Sequence, residues 1–244
     1  MIEIKDLKKA YNGVTVVDVP YLSIAAGESV GLVGNNGAGK TTLFRIILDL
    51  IRKDSGEVMS KNYNVSETDD WKDYTGSYLD EGFLIDYLTP EEYFYYIGSL
   101  YQISRTDVDL KLEAYKEFFN DEILGRKKYI RDLSKGNQSK VGVVACLIQQ
   151  PEIILLDEPF ANIDPSTQIR LKNILKQIEK DSTCTTIVSS HDLNHVTDVC
   201  QRILLMEKGR IIKDIQTDSN TLAELESYFS VQQPESIRSL DPSE

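Results

Sequence analysis

The spacing of hydrophobic residues changes along the first part of the chain and predicts two kinds of structure there. Residues 2–28 alternate between hydrophobic and polar over short stretches, interrupted at Asn12-Gly13 and at Pro20. This alternation predicts antiparallel strands that are broken at those two points. The apolar segment Ser29–Gly34 then predicts a short strand, and the helical spacing of apolar residues in Thr41–Ile51 predicts a helix.

The middle of the chain has the pattern of a helical insert. Thr89 stands at a helix N-cap position, Pro90 at the first helical position and Glu92 three residues after the cap, as in a capping box. Helices are predicted at Pro90–Tyr101, Thr106–Asn120 and Ser134–Gln149. We therefore expect a helical subdomain at about residues 81–150.

The remainder alternates short apolar strands with helices. The strand-like segments read "EIILLDE", "TTIVSS" and "RILLMEK", and helical segments separate them. Because helices cover both faces of a parallel sheet, this alternation predicts an α/β architecture. Lys208-Gly209-Arg210 predicts a turn before a last strand. The residues after about Phe229 are polar and contain two prolines, so we expect a loose polar tail over residues 231–244.

The charge balance bears on which partners the chain binds. The sequence has 27 Lys and Arg against 39 Asp and Glu, which gives a net charge of −12 at pH 7. A nucleic-acid surface requires clustered Lys and Arg, so we expect no nucleic-acid partner. One short basic run is present, and we expect it to be a solvated face. It comprises Arg126, Lys127, Lys128 and Arg131.

Cysteine usage and hydropathy favour a cytoplasmic setting. Cys146, Cys184 and Cys200 lie in or beside apolar runs, where free thiols pack as small core side chains, and a reducing compartment suits them. Residues 1–7 alternate like a strand and predict no signal peptide. The sequence has no run of about 18 apolar residues that would span a bilayer. If the protein works at a membrane, we expect another chain to provide the membrane-spanning part.

The strongest signal for chemistry is "GNNGAGKT" at Gly34–Thr41, which fits G-x-x-x-x-G-K-[ST] between a predicted strand and a predicted helix. Glycines let backbone N–H groups turn towards phosphates, and the helix N-terminus adds a favourable dipole. We expect Lys40 to reach the β- and γ-phosphates of ATP and the Thr41 hydroxyl to join the Mg²⁺ shell. The predicted nucleotide-binding residues of this loop are Gly34, Asn35, Asn36, Gly37, Ala38, Gly39, Lys40, Thr41 and Thr42.

Two adjacent acids follow an apolar strand in "IILLDEP" at Ile153–Pro159. Adjacent residues on a strand point to opposite faces, so Asp157 and Glu158 are expected to do different work. Asp157 is suited to hold Mg²⁺, and Glu158 to orient or partly deprotonate the attacking water. Ligands gather at the carboxyl ends of parallel strands, so the acids and the glycine loop are expected to meet there.

Taken with these two motifs, nearly the whole chain, about residues 1–230, resembles the nucleotide-binding subunit of ATP-binding cassette (ABC) transporters. The resemblance implies a P-loop NTPase (RecA-like) parallel-sheet core with an N-terminal antiparallel β subdomain and an α-helical subdomain. Tyr11 matches the aromatic residue that stacks on adenine in the family. His191 matches the switch histidine near the γ-phosphate, which together with Lys40 and Glu158 would act in catalysis.

Two further segments match motifs of the family. "LSKGNQ" at Leu133–Gln138 resembles the family signature, and "ANID" at Ala161–Asp164 resembles its D-loop. The resemblance implies that Ser134, Gly136 and the start of the following helix form a second phosphate cradle. In the family, this cradle and the P-loop of a partner subunit enclose ATP between them, so a head-to-tail homodimer or heterodimer is expected. Transmembrane permease subunits are the other expected partners, with this chain peripheral on the cytosolic face of the membrane.

The sequence departs from the family pattern at two places. Asp80, with Glu81 beside it, aligns with the glutamine that normally touches Mg²⁺; an acid there would still bind the metal, but its coupling role becomes an open question. Lys135 replaces the first signature glycine, and Asn137 precedes Gln138. Signatures with Ser-Lys-Gly resemble those of exporter-type subunits, which favours export over import.

Three functional hypotheses remain open from the sequence. The leading one is an ATPase subunit that powers export through separate transmembrane chains. The second is a non-transport cassette ATPase that remodels a cytosolic partner, and the third is an ATP-dependent interaction module with weak hydrolysis. Most aromatic residues of the helical insert are expected in its core, but Phe83 or Tyr87 is a candidate for a groove that receives a helix of the membrane subunit.

Overall fold

The computed structural model describes residues 1–181 and 184–231, and its elements fall into three consecutive stretches. The first stretch is mostly strands: β1 (Ile2–Tyr11), β2 (Val14–Ile24), β3 (Ser29–Val33), α1 (Lys40–Ile47), β4 (Ser55–Ser60), β5 (Tyr63–Asn64) and β6 (Thr75–Tyr78). The second is helical: α2 (Pro90–Leu100), α3 (Arg105–Glu113), α4 (Lys116–Phe119) and α5 (Lys135–Leu147). The third alternates strands and helices: β7 (Ile153–Leu156), α6 (Pro165–Asp181), β8 (Thr185–Ser190), α7 (Leu193–Val199), β9 (Arg202–Glu207), β10 (Arg210–Gln216) and α8 (Thr221–Val231).

Four strands form an N-terminal antiparallel sheet in the order β2-β1-β4-β5. Asn12 and Gly13 both have positive φ, 51° and 81°, and make the two-residue turn between β1 and β2, as predicted. The predicted break at Pro20 is wrong, because β2 continues through it. Strand β2 lies at the sheet edge and Pro20 is exposed, so the missing N–H leaves no neighbouring strand unpaired.

The second sheet has six strands in the order β10-β9-β3-β8-β7-β6. Its strands from β9 to β6 are parallel, and β10 pairs antiparallel with β9, so the predicted α/β core with a parallel sheet is confirmed. Strand β8 lies between β3 and β7. The loops that follow these three strands therefore meet at one edge of the sheet.

The parallel sheet separates two hydrophobic cores. Along β7, Ile153 and Leu155 pack with the antiparallel sheet and with Phe44 of α1, whereas Ile154 and Leu156 pack with the helical part of the chain. Side chains of a strand alternate between faces, so a strand covered on both sides is apolar at every position. This explains the continuous apolar runs of the core strands.

The helical part confirms some predicted features and corrects others. Thr89 and Glu92 make the predicted capping box at α2. The single helix predicted over Thr106–Asn120 is wrong: α3 and α4 are separate, because Ala114 and Tyr115 close tighter turns on carbonyls three residues back.

The last described element is a helix, α8, that the hydrophobic pattern did not predict. This helix ends at Val231, the first residue of the predicted polar tail. The rest of that tail, residues 232–244, lies outside the described part of the chain.

The three cysteines are free and buried, as predicted for core thiols. The basic residues 126–128 and Arg131 are exposed, as predicted for a solvated face. Within residues 1–181 and 184–231, every helix is too short or too polar to cross a membrane.

Gly142 provides a test of the packing between α5 and the sheet. A Cβ at this position would lie 2.4 Å from two ring carbons of Tyr78. Glycine-to-alanine changes inside helices usually stabilise by about 1 kcal/mol. Here we expect Gly142→Ala to lower the free energy of unfolding by about 1–3 kcal/mol, because overpacking outweighs helix propensity. Urea denaturation measures the change.

Leu110→Ala is the control, since Leu110 is exposed on α3 and its replacement is expected to change the free energy by less than about 0.5 kcal/mol. A Gly142→Ala protein more stable than the wild type would show that the contact with Tyr78 imposes no constraint.

Candidate nucleotide-binding and hydrolysis site

The glycine loop between β3 and α1 is packed so tightly that only glycine fits at two positions. A Cβ on Gly34 would lie 2.2 Å from the Met206 carbonyl oxygen. Gly39 has φ 108°, and a Cβ there would lie 2.4 Å from the Val16 carbonyl oxygen. Gly39 also occupies the N-cap of α1, so no side chain covers the start of this helix. The loop therefore has the form of a phosphate cradle in which backbone N–H groups are the donors.

Lys40 and Thr41 begin α1 and connect the loop to the acids that follow β7. The Lys40 side chain is buried, donates to the Gly34 carbonyl oxygen at 2.7 Å and lies 3.4 Å from Glu158 Oε1. The Thr41 hydroxyl donates to Asp157 Oδ2 at 2.5 Å. The buried ammonium of Lys40 thus lies where a P-loop contacts phosphate, and the hydroxyl of Thr41 lies where a P-loop provides a metal ligand.

Asp157 is buried at the carboxyl end of β7 and accepts hydrogen bonds from Thr41 and from Ser189 Oγ. Burial raises the pKa of this carboxyl, and the two hydrogen bonds oppose the rise. Thr41 and Asp157 are oxygen donors of the kind that Mg²⁺ prefers. The described residues contain no group of three or more His, Cys, Asp or Glu suited to a metal. Thr41 and Asp157 therefore suit a Mg²⁺ ion whose other ligands come from phosphate and water.

Glu158 has φ 48°, a left-handed conformation that is uncommon outside glycine. Its N–H donates to Ser189 Oγ at 2.9 Å. Its Oε2 accepts from the His191 N–H at 3.2 Å and lies 2.8 Å from His191 Nδ1. Strained backbone of this kind persists where neighbouring contacts hold it, often at functional sites. The carboxylate is thereby held between His191 and Lys40.

The structure therefore brings the central predicted residues into one connected network: Lys40, Thr41, Asp157, Glu158 and His191. Sequence reasoning missed Ser189, whose hydroxyl contacts both acids and joins them to β8. Its signal was its place in "TTIVSS", directly before the predicted switch histidine.

Other predicted residues lie outside this network. Tyr11 is 46% exposed at the end of β1, and Lys9 Nζ lies 5.1 Å from its ring. Ser134 caps α5 by accepting from the Asn137 N–H at 3.2 Å. Gly136 packs against the D-loop so closely that a Cβ would lie 2.4 Å from the Asn162 carbonyl oxygen. No hydrogen bond or ion pair between described residues joins Ser134 or Gly136 to the glycine loop.

The loop at Asp80 and Glu81 connects the core to the helical part of the chain. Asp80 accepts from the Gly82 N–H at 2.7 Å and lies 3.5 Å from Arg45 of α1. Glu81 lies 3.8 Å from Lys135 Nζ, on α5. Asp80 has extended backbone and caps a short 3-10 turn that begins at Glu81. The two acids contact different helices, and the role of Asp80 as a metal ligand stays a prediction.

Comparison with known proteins agrees with this geometry. A family model described as ABC transporter matches residues 18–161, more than half of the chain. The chain therefore belongs to the ABC transporter family. It is accordingly an ATPase that uses ATP and Mg²⁺.

The relatives are named for different functions. The chain is 31% identical to the sulfate/thiosulfate import ATP-binding protein CysA of Pectobacterium atrosepticum, over 93% of this chain and 70% of that protein. It is 30% identical to the linearmycin resistance ATP-binding protein LnrL of Bacillus subtilis, over 87% of this chain and 68% of that protein. Some relatives are much longer, and the chain spans from 24% to 76% of the length of the curated proteins compared.

Solved structures share the fold. The ATP-binding cassette MJ0796, in a dimeric post-hydrolysis state with ADP and Pi, has a TM-score of 0.79 and 24% sequence identity. The alignment covers 90% of this chain and 100% of the MJ0796 chain. The architecture predicted from the sequence, a P-loop NTPase core with an antiparallel sheet and helices, is thus confirmed.

The pKa of Asp157 leads to a pH-dependent prediction. Burial raises the pKa of Asp157 in the folded state, so the ionised carboxyl lowers the free energy of unfolding of the metal-free protein at neutral pH. This destabilisation disappears as the pH falls below about 4, where the carboxyl is protonated in both the folded and the unfolded state. We expect Asp157→Asn to raise the thermal midpoint at pH 7 in the presence of EDTA, and to abolish the stabilisation that Mg-ATP gives the wild type. Differential scanning fluorimetry measures both effects.

Asp164→Asn is the matched control with the opposite sign. Hydrogen bonds from Ser166 and Thr167 hold the pKa of Asp164 well below its usual range. Its charge therefore stabilises the fold at pH 7, and the variant is expected to melt earlier. A thermal midpoint of Asp157→Asn below that of the wild type at pH 7 would contradict the conclusion that the buried charge of Asp157 destabilises the fold.

Proposed function

We propose that this chain is the ATP-hydrolysing subunit of a transporter, that it works as a head-to-tail dimer, and that it drives export through separate transmembrane subunits. The observation that carries the proposal is the network in which Lys40, Glu158 and His191 meet beside the Thr41–Asp157 pair. Each element of this network has a place in phosphoryl transfer, and all lie at one edge of the parallel sheet.

Hydrolysis follows from the positions of these side chains. The glycine loop and Lys40 would bind the β- and γ-phosphates, and Thr41 with Asp157 would hold Mg²⁺, which would supply positive charge to offset the charge that develops on the phosphates. Glu158 orients the attacking water and accepts its proton. His191 holds the Glu158 carboxylate through its N–H and ring nitrogen, which keeps the base in place for an in-line attack.

A second subunit supplies what one chain lacks at this site. The capped start of α5 presents Ser134 and the first-turn N–H groups, a suitable second phosphate cradle, but within the chain it packs on the D-loop. In a two-fold dimer, each signature would meet the partner's glycine loop, which gives two composite sites. ATP then acts as the ligand that favours the closed dimer over the open one.

The contact with a membrane subunit is assigned to a cavity between the sheet and the helical part. It has a volume of about 230 Å³, and its lining includes Leu50, Phe83, Tyr93, Leu100 and Tyr101. Leu50, Phe83 and Leu100 are between 48% and 58% exposed. An exposed apolar groove of this kind fits the nonpolar face of a short helix from a partner chain. This contact would place the chain at the cytosolic face of the membrane.

The direction of transport rests on the signature. Lys135 gives the Ser-Lys-Gly form that resembles exporter-type subunits. A wholly cytosolic complex on purification would favour the alternative, an ATPase that remodels a cytosolic partner. Co-purification from membranes with a multi-helix protein supports transport.

Glu158→Gln tests hydrolysis and dimer formation together. Glutamine keeps the size of the side chain but does not accept the proton from water, so turnover is expected to fall by about 10²- to 10⁴-fold. ATP binding is retained, and an ATP-bound dimer accumulates. Steady-state phosphate release and size-exclusion chromatography with Mg-ATP measure the two effects.

Glu117→Gln is the control, because Glu117 is exposed on α4 away from the network. The control is expected to match the wild type in both assays. Wild-type turnover in Glu158→Gln would refute the role of Glu158, and a slow enzyme that stays monomeric with ATP would refute the composite dimer site.

Phe83→Ala and Leu100→Ala test coupling to the membrane partner; Tyr87, the other candidate from the sequence, does not line the cavity. Phe83 and Leu100 are 53% and 58% exposed, so their removal is expected to leave the fold and basal ATPase activity unchanged. Transport, and recovery of the chain with the membrane fraction, are expected to be lost. Tyr21→Ala, exposed on β2, is the control and is expected to keep both. A loss of basal ATPase activity in either variant would contradict a pure docking role.

A further inference from the structure

His195 lies four residues after the switch histidine, on the first turn of α7. Its side chain is only 14% exposed, and its ring stacks on Phe160 with centroids 4.5 Å apart and planes 27° apart. Phe160 is buried, two residues after Glu158. The stack thus joins the segment that carries Glu158 to the helix that follows His191.

The polar atoms of His195 do not explain why the ring is there. Its Nε2 lies 3.5 Å from Asp192, and its Nδ1 is buried without a hydrogen-bond partner among the described residues. Burial also lowers the pKa of the imidazole, so the ring is neutral at physiological pH. An unpaired buried nitrogen costs free energy, so the ring contributes through its flat face rather than through hydrogen bonds.

The position of the stack matters because Glu158 has a strained backbone. On the exposed side, the two loops are joined by the contacts between Glu158 and His191, which is 57% exposed. The Glu158 N–H also donates to Ser189 Oγ on β8. Neither of these contacts reaches α7. The buried stack of Phe160 on His195 adds a contact between the loop that carries Glu158 and the first turn of α7, and so restricts rotation of this loop against the helix that follows His191.

We propose that His195 is a positioning residue for ATP hydrolysis: its ring, stacked on Phe160, holds the loop that carries Glu158 in register with the switch histidine. This positioning role requires an aromatic ring at residue 195 and does not require proton transfer by that ring. The nucleotide is bound elsewhere, by the glycine loop, so the stack acts on turnover and not on affinity.

The test compares His195→Ala with His195→Phe in the full chain. His195→Ala removes the stack, and a misplacement of a catalytic group by about 1 Å costs up to about 10²-fold in rate. We expect its kcat to fall by about 10- to 100-fold while KM for ATP changes by less than about twofold. His195→Phe preserves an aromatic face, so its kcat is expected within about threefold of the wild type.

Phe160→Ala is the matched variant on the other side of the stack. It is expected to lose as much kcat as His195→Ala, and the double variant no more than either single variant, because all three lack the same contact. Thermal melting of each variant separates positioning from a general loss of fold, since His195→Phe must recover kcat as well as stability. If His195→Ala does not fold, His195→Leu takes its place with the same expectation.

Three results would overturn the proposal. The first is a wild-type kcat in His195→Ala. The second is a kcat in His195→Phe as low as in His195→Ala, which would assign the work to the ring nitrogens. The third is an additive loss in the double variant, which would mean that the two rings act independently.

Discussion

The hydrogen bond from Thr41 to Asp157 is the contact on which the site depends, since it joins residues 116 positions apart in the chain. Asp157 directly follows β7, and Thr41 lies in the first turn of α1, just after the loop that follows β3. Only β8 separates β3 from β7 in the sheet, so the two residues come close together. Ser189, near the end of β8, completes the contact by donating to the same carboxyl group. The strand order of the parallel sheet therefore determines which polar groups converge, and the hydrophobic cores on both faces hold that order.

The site is built at a cost in stability. Asp157 is buried with a raised pKa, Lys40 is buried, and Glu158 has a left-handed backbone. Each feature is unfavourable alone and is compensated by a specific partner in the network. In the proposed role the same features would favour binding of ATP and Mg²⁺, because a buried ammonium and carboxylate interact more strongly with phosphate and metal than exposed ones do.

Contacts between the core and the helical part link several of the predicted motifs. The acids at Asp80 and Glu81 face α1 and α5 respectively, which connects the helix after the glycine loop with the signature helix. Gly136 allows the D-loop to approach the same helix at a distance that any side chain would prevent. A movement of the helical part would therefore change the signature, the D-loop and the Asp80–Glu81 loop together.

The sequence by itself determined the features that are local. The glycine loop, the acid pair at Asp157 and Glu158, the capping box at Thr89 and the alternating strands each depend on residues close together in the chain. Tertiary structure alone decided the rest. This comprises the hydrogen bonds of Ser189 with the two acids, the ion pair of Arg45 with Asp80, the stacking of Phe160 on His195, and the division of the predicted helix into α3 and α4. These features are contacts between distant segments or responses to core packing, and no local pattern specifies which distant side chain will be the neighbour.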